Sequence, residues 1–301
     1  MSGTRAWIGP LCAVVGVLGF SCKAILIKLA YAWHPIDAVT LLTLRLIYAA
    51  PLFIAMAWWF GRGKPAIARD DWLRLAGLGF IGYYLSSLLD FLGLQYISAA
   101  LERLTLFLYP TIVVLLSAWL LRKTITRRAV LALALSYGGI VLAFWNDLRI
   151  GVDHTALALG GGLVFGSAAL YAVYLVAAGP VITRLGSSRF IAWAMLASTA
   201  FVLTQFALTR PGSALDVPAR IHWLSFTMAV GATVVPTWLI AESIRRLGAN
   251  QASLIGSLGP VFTIGLGAAI LGEPTHAIQL AGAALVLAGV MLVSIRRGER
   301  P

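Results

Sequence analysis

The sequence predicts an all-α membrane protein in which ten transmembrane helices form two inverted repeats of five helices each. Three observations lead to this fold class: an apolar composition, an uneven distribution of basic residues, and an internal similarity at a spacing of 150 residues. Hydrophobic residues make up 60% of the chain and charged residues only 11%, whereas a soluble domain carries about 25% charged residues. So few charges cannot cover a globular core with a polar surface, which favours a membrane protein.

Ten segments of the chain are long and apolar enough to cross a bilayer, which takes about 20 residues of helix. The first segment contains Lys23 and Lys28 and exceeds the apolar region of a signal peptide, which is about 7–15 residues long. It is therefore predicted to be a retained span. Charges, prolines and glycines separate the segments by short loops, which leave little soluble mass. In order, the predicted spans are 7–30, 38–60, 72–93, 98–121, 128–146, 156–178, 189–208, 222–243, 251–271 and 277–295.

Basic residues are distributed unevenly between the two sides of this predicted bundle. If the N-terminus is cytoplasmic, sixteen Lys and Arg residues lie on the cytoplasmic side, three lie on the outer side, and four lie within spans. Cytoplasmic loops of membrane proteins carry such an excess. We therefore predict a multi-pass protein of a bacterial inner (plasma) membrane with both termini in the cytoplasm. These loops explain the net charge of +12, so membrane lipids are predicted partners and nucleic acid is not.

The internal similarity is clearest between the fourth and ninth spans. The segment LTLFLYPTIVVLLSAWLL aligns with LIGSLGPVFTIGLGAAIL, so that Pro110 falls on Pro260, and in the following spans Gly139 falls on Gly289. Each proline lies within a predicted span and is expected to kink its helix. Because each half has five spans, the halves cross the membrane in opposite directions, which is typical of secondary transporters with a substrate site between them. The predicted repeats are residues 1–150 and 151–301.

Three segments are similar to those of a known family of bacterial carriers. They are LLTLRLIYA around Arg45, YISAALERLTLFLYPTIVVLLSAWLL in the fourth span, and SLGPVFTIGLGAAILGEPTHAIQLAGAALVLAGVML near the end of the chain. Together with the duplication, they resemble the EamA family of the drug/metabolite transporter superfamily over nearly the whole chain. The resemblance implies transport of amino acids or other small metabolites, often outward. The first span departs from the family pattern at Lys23 and Lys28, so the resemblance does not assign a substrate.

Ionisable residues inside spans mark candidate functional positions, because a charge in the membrane interior is unfavourable unless it faces a cavity or a partner. Lys23 lies deep in the first span and is predicted to face a cavity. Arg45 is predicted either to bind an anionic group or to pair with an acidic residue. Asp90 shares one face of the third span with Tyr83 at helical spacing. Asp90 is predicted to line the cavity or to pair with Arg45 or Arg103.

The fourth span opens with two adjacent charges, which need separate partners because neighbouring helix residues point in different directions. Glu102 shares a helix face with Tyr109, and both are predicted to line the cavity. Position 252, which corresponds to Glu102 in the second half, is alanine, so this charge is not part of a shared scaffold. Tyr171 and Trp238 are further candidate cavity residues, because aromatic rings can stack on a substrate.

The sequence contains no metal-binding or nucleophile motif, so no enzyme activity, metal or other cofactor is predicted. It predicts instead a secondary transporter of small molecules that works by alternating access. Buried basic residues outnumber acidic ones, which favours amino acids or related carboxylate-bearing compounds. The alternatives are export of drugs or cationic amphiphiles, and a channel or lipid scramblase. Proton coupling through Asp90 or Glu102 stays open, as does the choice between a monomer and a homodimer.

Overall fold

The structure is a computed structural model that describes residues 7–120, 126–149, 153–247 and 249–294, and every structural statement below concerns these residues. Within them the chain is helical except for short turns and loops. The α-helices are α1 Ile8–Trp33, α2 Ala38–Gly61, α3 Arg69–Gly79, α4 Ser86–Gly93, α5 Ala99–Leu106, α6 Tyr109–Leu120, α7 Arg127–Arg149, α8 His154–Leu185, α9 Ser187–Thr209, α10 Ala219–Ala229, α11 Val235–Leu247, α12 Ala249–Gly256, α13 Gly259–Leu266 and α14 Ala277–Ser294.

Among the described residues, seven helical segments are long and apolar enough to cross a membrane. They are Ile8–Trp33, Ala38–Gly61, Arg69–Gly93, Ala99–Trp119, His154–Leu185, Ser187–Thr209 and Ala219–Leu247. The shorter apolar helices are Ala129–Trp145, Gly259–Leu271 and Ala277–Leu292. The predicted all-helical membrane architecture is confirmed, while the count of ten spans stays a prediction. The largest difference in length is in α8, which continues through Pro180 to Leu185, seven residues beyond the predicted end at 178.

Two of the long apolar segments contain a π-helical turn that the sequence pattern did not reveal. The turns Phe80–Leu85 and Val230–Val234 join α3 to α4 and α10 to α11, and they begin 150 residues apart. In the second turn, the Thr233 hydroxyl donates to the Met228 carbonyl oxygen at 3.0 Å, five residues earlier. This bond satisfies a backbone acceptor in the widened turn. π-Turns inside α-helices occur frequently at functional sites.

The fourth and ninth predicted spans are each divided into two helices. The break between α5 and α6 lies at residues 107–108, and the break between α12 and α13 lies at residues 257–258. Pro110 and Pro260 are therefore the second residues of α6 and α13. Proline is tolerated there because the first N–H groups of a helix have no intrahelical acceptor. Each interruption thus precedes the proline to which the sequence pattern assigned a kink.

Helices from the two halves of the chain pack in pairs, with α2 against α9, α1 against α11, and α7 against α14. The last pair approaches closely at glycines. A Cβ atom added to Gly289 would lie 2.6 Å from the Ala132 carbonyl oxygen, and one added to Gly139 would lie 2.5 Å from the Gly282 carbonyl oxygen. Small residues at such crossings are typical of membrane helices, whose association depends on tight packing.

The surface of the bundle is apolar over much of its area. Trp119, Leu208 and Trp223 are exposed by 77%, 80% and 70%. Many large apolar side chains are exposed in this way, and extensive exposed apolar surface is rare on soluble monomers. Facing lipid, the same side chains are in a favourable environment, and tryptophan is enriched where the membrane meets water. The chain is therefore a multi-pass protein embedded in a membrane.

Candidate functional site

A cluster of charged side chains is buried where α1, α4 and α5 meet. Lys23 Nζ on α1 donates a hydrogen bond to Asp90 Oδ2 on α4 at 2.6 Å. The Asp90 side chain is 2% exposed and the Lys23 side chain 17%. A charge-assisted bond of this length in a poorly screened interior is strong. Asp90 therefore takes Lys23 as its ion-pair partner, and not Arg45 or Arg103, the two partners that the sequence suggested.

Glu102 joins this cluster from α5. Its side chain is 0% exposed, and its Oε1 lies 3.9 Å from Lys23 Nζ. Among the described residues, neither carboxylate oxygen of Glu102 has a hydrogen-bond donor, and Asp90 Oδ1 has none either. The carboxyl groups of Asp90 and Glu102 lie within interaction distance of each other. Two buried acidic groups thus face one lysine.

Arg103, the neighbour of Glu102, is buried but directs its guanidinium to other helices. Its Nε donates to Thr263 Oγ1 on α13 at 3.0 Å, and its Nη2 donates to the Phe20 carbonyl oxygen on α1 at 2.5 Å. The two adjacent charges therefore have separate surroundings, as the helical geometry predicted. Arg103 ties α5 to a helix of the other half of the chain.

Arg45 is buried on α2, close to the same cluster. Its Nε donates to Thr233 Oγ1 at 3.1 Å, and its guanidinium carbon lies 5.5 Å from the centre of the Phe91 ring. The π-turn that contains Thr233 therefore supplies an acceptor to a buried arginine. Arg45 has no carboxylate within ion-pair distance among the described residues. Its nearest compensating groups are the Thr233 hydroxyl and the Phe91 ring, and the charge of Asp90 acts on it from beyond ion-pair distance.

Four tyrosines form a stack beside the charged cluster. The hydroxyl oxygens of Tyr83 and Tyr174 are 2.9 Å apart. The rings of Tyr171 and Tyr174 are stacked at 5.5 Å, and Tyr109 meets Tyr171 edge to face at 5.2 Å. Tyr109 lies within electrostatic range of the Arg103 guanidinium. The structure thus brings together three of the tyrosines that the sequence singled out, Tyr83, Tyr109 and Tyr171.

Trp238 lies apart from this set. Its side chain is 62% exposed, whereas the clustered charges and tyrosines are buried or half-buried. An exposed tryptophan on a membrane helix is typical of a residue that faces lipid or the interface. Its selection from the sequence depended on aromatic character alone, which does not distinguish a ring facing lipid from a ring facing substrate.

Glu273 is a positioning residue whose role the sequence pattern did not reveal. Its Oε1 accepts a hydrogen bond from the Ala99 backbone N–H at 2.9 Å, and its Oε2 accepts one from Ala100 at 3.4 Å. A carboxylate at a helix N-terminus satisfies free N–H groups and interacts favourably with the helix dipole. The signal available in the sequence was a glutamate directly after a glycine. In the structure that glycine, Gly272, has a left-handed φ of 66°. Glu273 thus holds the start of α5, the helix that carries Glu102.

A cavity of about 600 Å³ lies at the opposite end of the bundle, between the loops that follow α2 and α8, with both polar and apolar residues in its lining. At its edge Arg184 Nη2 donates to Asp71 Oδ1 at 2.5 Å. Leu185 lines the cavity and packs against an apolar cluster that includes Phe190 and Tyr174. An apolar layer therefore adjoins both this cavity and the tyrosine stack.

The chain is similar to known transporters. The model of the EamA-like transporter family matches residues 7–145 and 158–295. The "Uncharacterized transporter YcbK" of Bacillus subtilis (strain 168) is 31% identical, over 98% of this chain and 96% of that protein. An "Uncharacterized transporter" of Archaeoglobus fulgidus is 26% identical, over 88% of this chain and 90% of its own. The "Uncharacterized inner membrane transporter YhbE" of Escherichia coli (strain K12) is 26% identical, over 65% of this chain and 60% of that protein.

The fold also has a solved counterpart. A crystal structure superposes with a TM-score of 0.65 and covers 96% of this chain and 97% of its own, at 19% sequence identity. At that identity the likeness concerns the fold alone. It shows that the arrangement of helices described above occurs in an experimentally determined protein.

Proposed function

The chain belongs to the EamA-like transporter family, and we propose that it is a secondary transporter that carries small carboxylate-bearing metabolites, such as amino acids, by alternating access. The proposal includes ten spans in two inverted repeats and a bacterial inner membrane with both termini in the cytoplasm. Two matched segments, one in each half, support the duplication. The excess of basic residues in loops of one side supports the orientation.

The proposed substrate class is supported by the balance of charges in the buried cluster. Lys23, Arg45 and Arg103 bring three positive charges to it, whereas Asp90 and Glu102 bring at most two negative charges. A substrate carboxylate would neutralise the remaining positive charge, and a guanidinium offers it two donors in a fixed geometry. Arg45 is the group best suited to this role, because in the described part of the chain no carboxylate lies within ion-pair distance of it.

The tyrosine stack favours a second candidate function, the export of cationic amphiphiles. Aromatic faces attract cations, and the four rings offer an apolar surface with few charges of their own. The two candidates make opposite predictions for the basic residues. Removing a positive charge should weaken the binding of a carboxylate and strengthen the binding of a cation.

Counterflow in proteoliposomes tests the proposal. Vesicles are preloaded with one unlabelled compound at a time, first amino acids and then cationic amphiphiles, and entry of the labelled compound is followed. We expect transient accumulation of a carboxylate-bearing compound, and its loss in Arg45→Gln and Lys23→Ala. Arg127→Gln, which removes an exposed charge at the start of α7, is the matched control and should accumulate label like the wild type.

Three other outcomes would contradict this function. Accumulation of cationic amphiphiles alone would replace the substrate class. Saturable uptake of carboxylates that is unchanged in Lys23→Ala and Arg45→Gln would refute the role of the buried cations. Flux without saturation or counterflow would indicate a channel or scramblase.

A further inference from the structure

We propose that Asp90 and Glu102 share one exchangeable proton and form a proton-binding site in the core of the protein. The site itself follows from the local geometry. Its use in driving transport rests on the function proposed above, and the two claims are tested separately. Asp90 and Glu102 come from α4 and α5, so the shared proton would also join two helices of the bundle.

Three buried oxygen atoms lack donors at this point. Both carboxylate oxygens of Glu102 and Oδ1 of Asp90 have no hydrogen-bond donor among the described residues, although the two side chains are 0% and 2% exposed. The carboxyl groups of the two residues nevertheless face each other at interaction distance. Two ionised carboxylates cannot satisfy one another, because each is only an acceptor.

The charged groups around Glu102 are already engaged. From α1, Lys23 Nζ lies 3.9 Å from Glu102 but 2.6 Å from Asp90 Oδ2, to which it donates. From α5, Arg103 donates to Thr263 and to the Phe20 carbonyl oxygen.

The remaining titratable groups near the pair are also bound elsewhere. On α2, Arg45 donates to Thr233, and on α1, the Tyr31 hydroxyl donates to the Phe91 carbonyl oxygen at 2.8 Å. On α6, Tyr109 makes ring contacts with its aromatic neighbours, and its hydroxyl does not donate to Glu102, whose two carboxylate oxygens have no donor among the described residues. No described group is therefore placed to donate to Glu102.

One proton shared by the two carboxyl groups would supply the missing hydrogen-bond donor. Burying an ionised carboxylate without a donor is strongly unfavourable, whereas a protonated one is neutral and carries its own donor. If Glu102 holds the proton, its hydroxyl can donate to Asp90 Oδ1, so a single bond satisfies an acceptor on Asp90 and removes the unpaired charge on Glu102. Asp90 stays ionised and keeps its bond to Lys23. The pair then carries one negative charge, which Lys23 balances.

Release of the proton changes the partners of Lys23. The O–H bond of Glu102 breaks and its proton passes to water; the hydrogen bond to Asp90 Oδ1 is lost with it, and no other covalent bond changes. The new carboxylate then competes with Asp90 for Lys23, whose Nζ lies 3.9 Å from one and 2.6 Å from the other. Because α1, α4 and α5 meet at this lysine, loss of the proton alters the contacts between three helices. That is the property a coupling site needs in a carrier with two conformations.

Infrared spectroscopy of the purified protein tests the proton site without any substrate. A protonated carboxyl group absorbs in the C=O stretching region, apart from carboxylates, and its band shifts in D₂O. We expect such a band at neutral pH in the wild type and its loss in Glu102→Gln. In Glu242→Gln the band should persist, because Glu242 is ion-paired with Arg245 and Arg246 at 2.6 Å and is a carboxylate.

A second variant guards against a folding defect. Glu102→Asp keeps a carboxyl group at the position, so it should keep a band at altered frequency, and size-exclusion chromatography confirms that each variant is folded. Absence of the band at neutral pH in the wild type, or its persistence in folded Glu102→Gln, would overturn the proposal.

Transport under a pH gradient tests the coupling. In the wild type, net uptake of the compound found by counterflow should be faster with the gradient than without it. In Glu102→Gln the two rates should become equal, whatever their absolute value, while Glu242→Gln should respond to the gradient like the wild type. A pH-gradient effect that is fully retained in Glu102→Gln would refute the coupling. If no compound exchanges at all, the transport function fails, and the infrared result still decides the proton site.

Discussion

Two stretches of the chain, 69–120 and 219–266, share their backbone features but differ in their charges. Each runs from a helix through a π-turn into a second helix, then through a short helix and a break into a helix whose second residue is proline. In the described part of the chain, fully buried charged side chains occur in the first stretch and not in the second. At the positions corresponding to Asp90 and Glu102, the second stretch has Ile240 and Ala252.

This difference distinguishes features of the shared backbone from features of the charged site. The π-turns and breaks occur at both places, so they belong to the backbone arrangement that the two stretches share. The buried acids and Arg103 occur at one place only and are unfavourable to bury, so packing does not account for them. In the carrier proposed above, both conformations would use one central site, so the charged residues would be needed in only one of the two halves.

The largest expected effect comes from removing the acid that belongs to the first stretch alone. Asp90→Asn removes the carboxylate that Lys23 bonds at 2.6 Å and leaves it only Glu102, whose Oε1 lies 3.9 Å away. Breaking a buried ion pair costs up to about 3–5 kcal/mol of unfolding free energy. We expect a large fall in the thermal midpoint of the protein in detergent. The double variant Lys23→Met/Asp90→Asn should recover part of this loss, because no uncompensated lysine remains. A double variant as unstable as Asp90→Asn would mean that the ion pair is not the cause.

The close crossing of α7 and α14, to which each half contributes a glycine, is tested by substituting these glycines. Gly289→Ala places a methyl group against the Ala132 carbonyl oxygen and the Ser136 hydroxyl, so the helices must separate, at a cost of about 1–3 kcal/mol. Gly139→Ala, its counterpart in the first half, should have a similar cost. Gly138→Ala is the control: a Cβ atom there meets nothing within 4 Å, and alanine favours a helix. Equal stability of all three variants would show that this close crossing is not needed.

Removing the contact between Glu273 and α5 should lower the stability of the protein by a smaller amount. Glu273→Ala removes an acceptor from two N–H groups of the first helical turn, and such losses cost about 0.5–2 kcal/mol. Glu273→Gln keeps an acceptor but loses the charge, so it should fall between the wild type and Glu273→Ala. The corresponding residue of the first half, Lys123, lies outside the described residues and has the opposite charge. If Glu273→Ala had the same unfolding free energy as the wild type, the two hydrogen bonds of Glu273 would not stabilise α5.

The sequence predicted the helices well but the partners of the charges poorly. Apolar length and the loops between segments placed the helix ends within a few residues, except in α8, which passes through Pro180 and ends seven residues beyond the predicted end at 178. The π-turns were not predictable, because one extra residue in a turn hardly changes an apolar pattern. Internal similarity identified Pro110 and Pro260 but placed the irregularity at the prolines and not at the preceding turns.

The partners could not be predicted because they depend on how distant helices meet. Asp90 is 67 residues from Lys23, and their pairing follows from the crossing of α1 and α4. Helical spacing limits the face on which a residue lies, which is why Tyr83, Asp90, Glu102 and Tyr109 were identified as candidates. It contains no information about which of three buried cations comes closest. For Trp238, likewise, the sequence did not show that its side of the helix is exposed.

The smallest expected effect concerns the caps of α2 and α9, helices that correspond in the two halves. Asp37 caps α2 by accepting from the Val39 and Thr40 backbone N–H groups, whereas α9 is preceded by Gly186, which provides no side-chain cap. Partial burial raises the pKa of Asp37, but hydrogen bonds from Arg210 and Thr40 outweigh this and hold the pKa below its ordinary value.

The depressed pKa of Asp37 gives a pH dependence with a defined sign. Because the folded pKa is lower than the unfolded one, the stabilisation is present above the ordinary Asp pKa of about 4 and is lost as the pH falls through the folded value. Asp37→Asn keeps a cap but not the charge. At neutral pH it should lower stability by less than about 1 kcal/mol, since the pair is well exposed, and the difference should vanish in acid. A difference that does not change with pH would mean that Asp37 acts through its shape and not its charge.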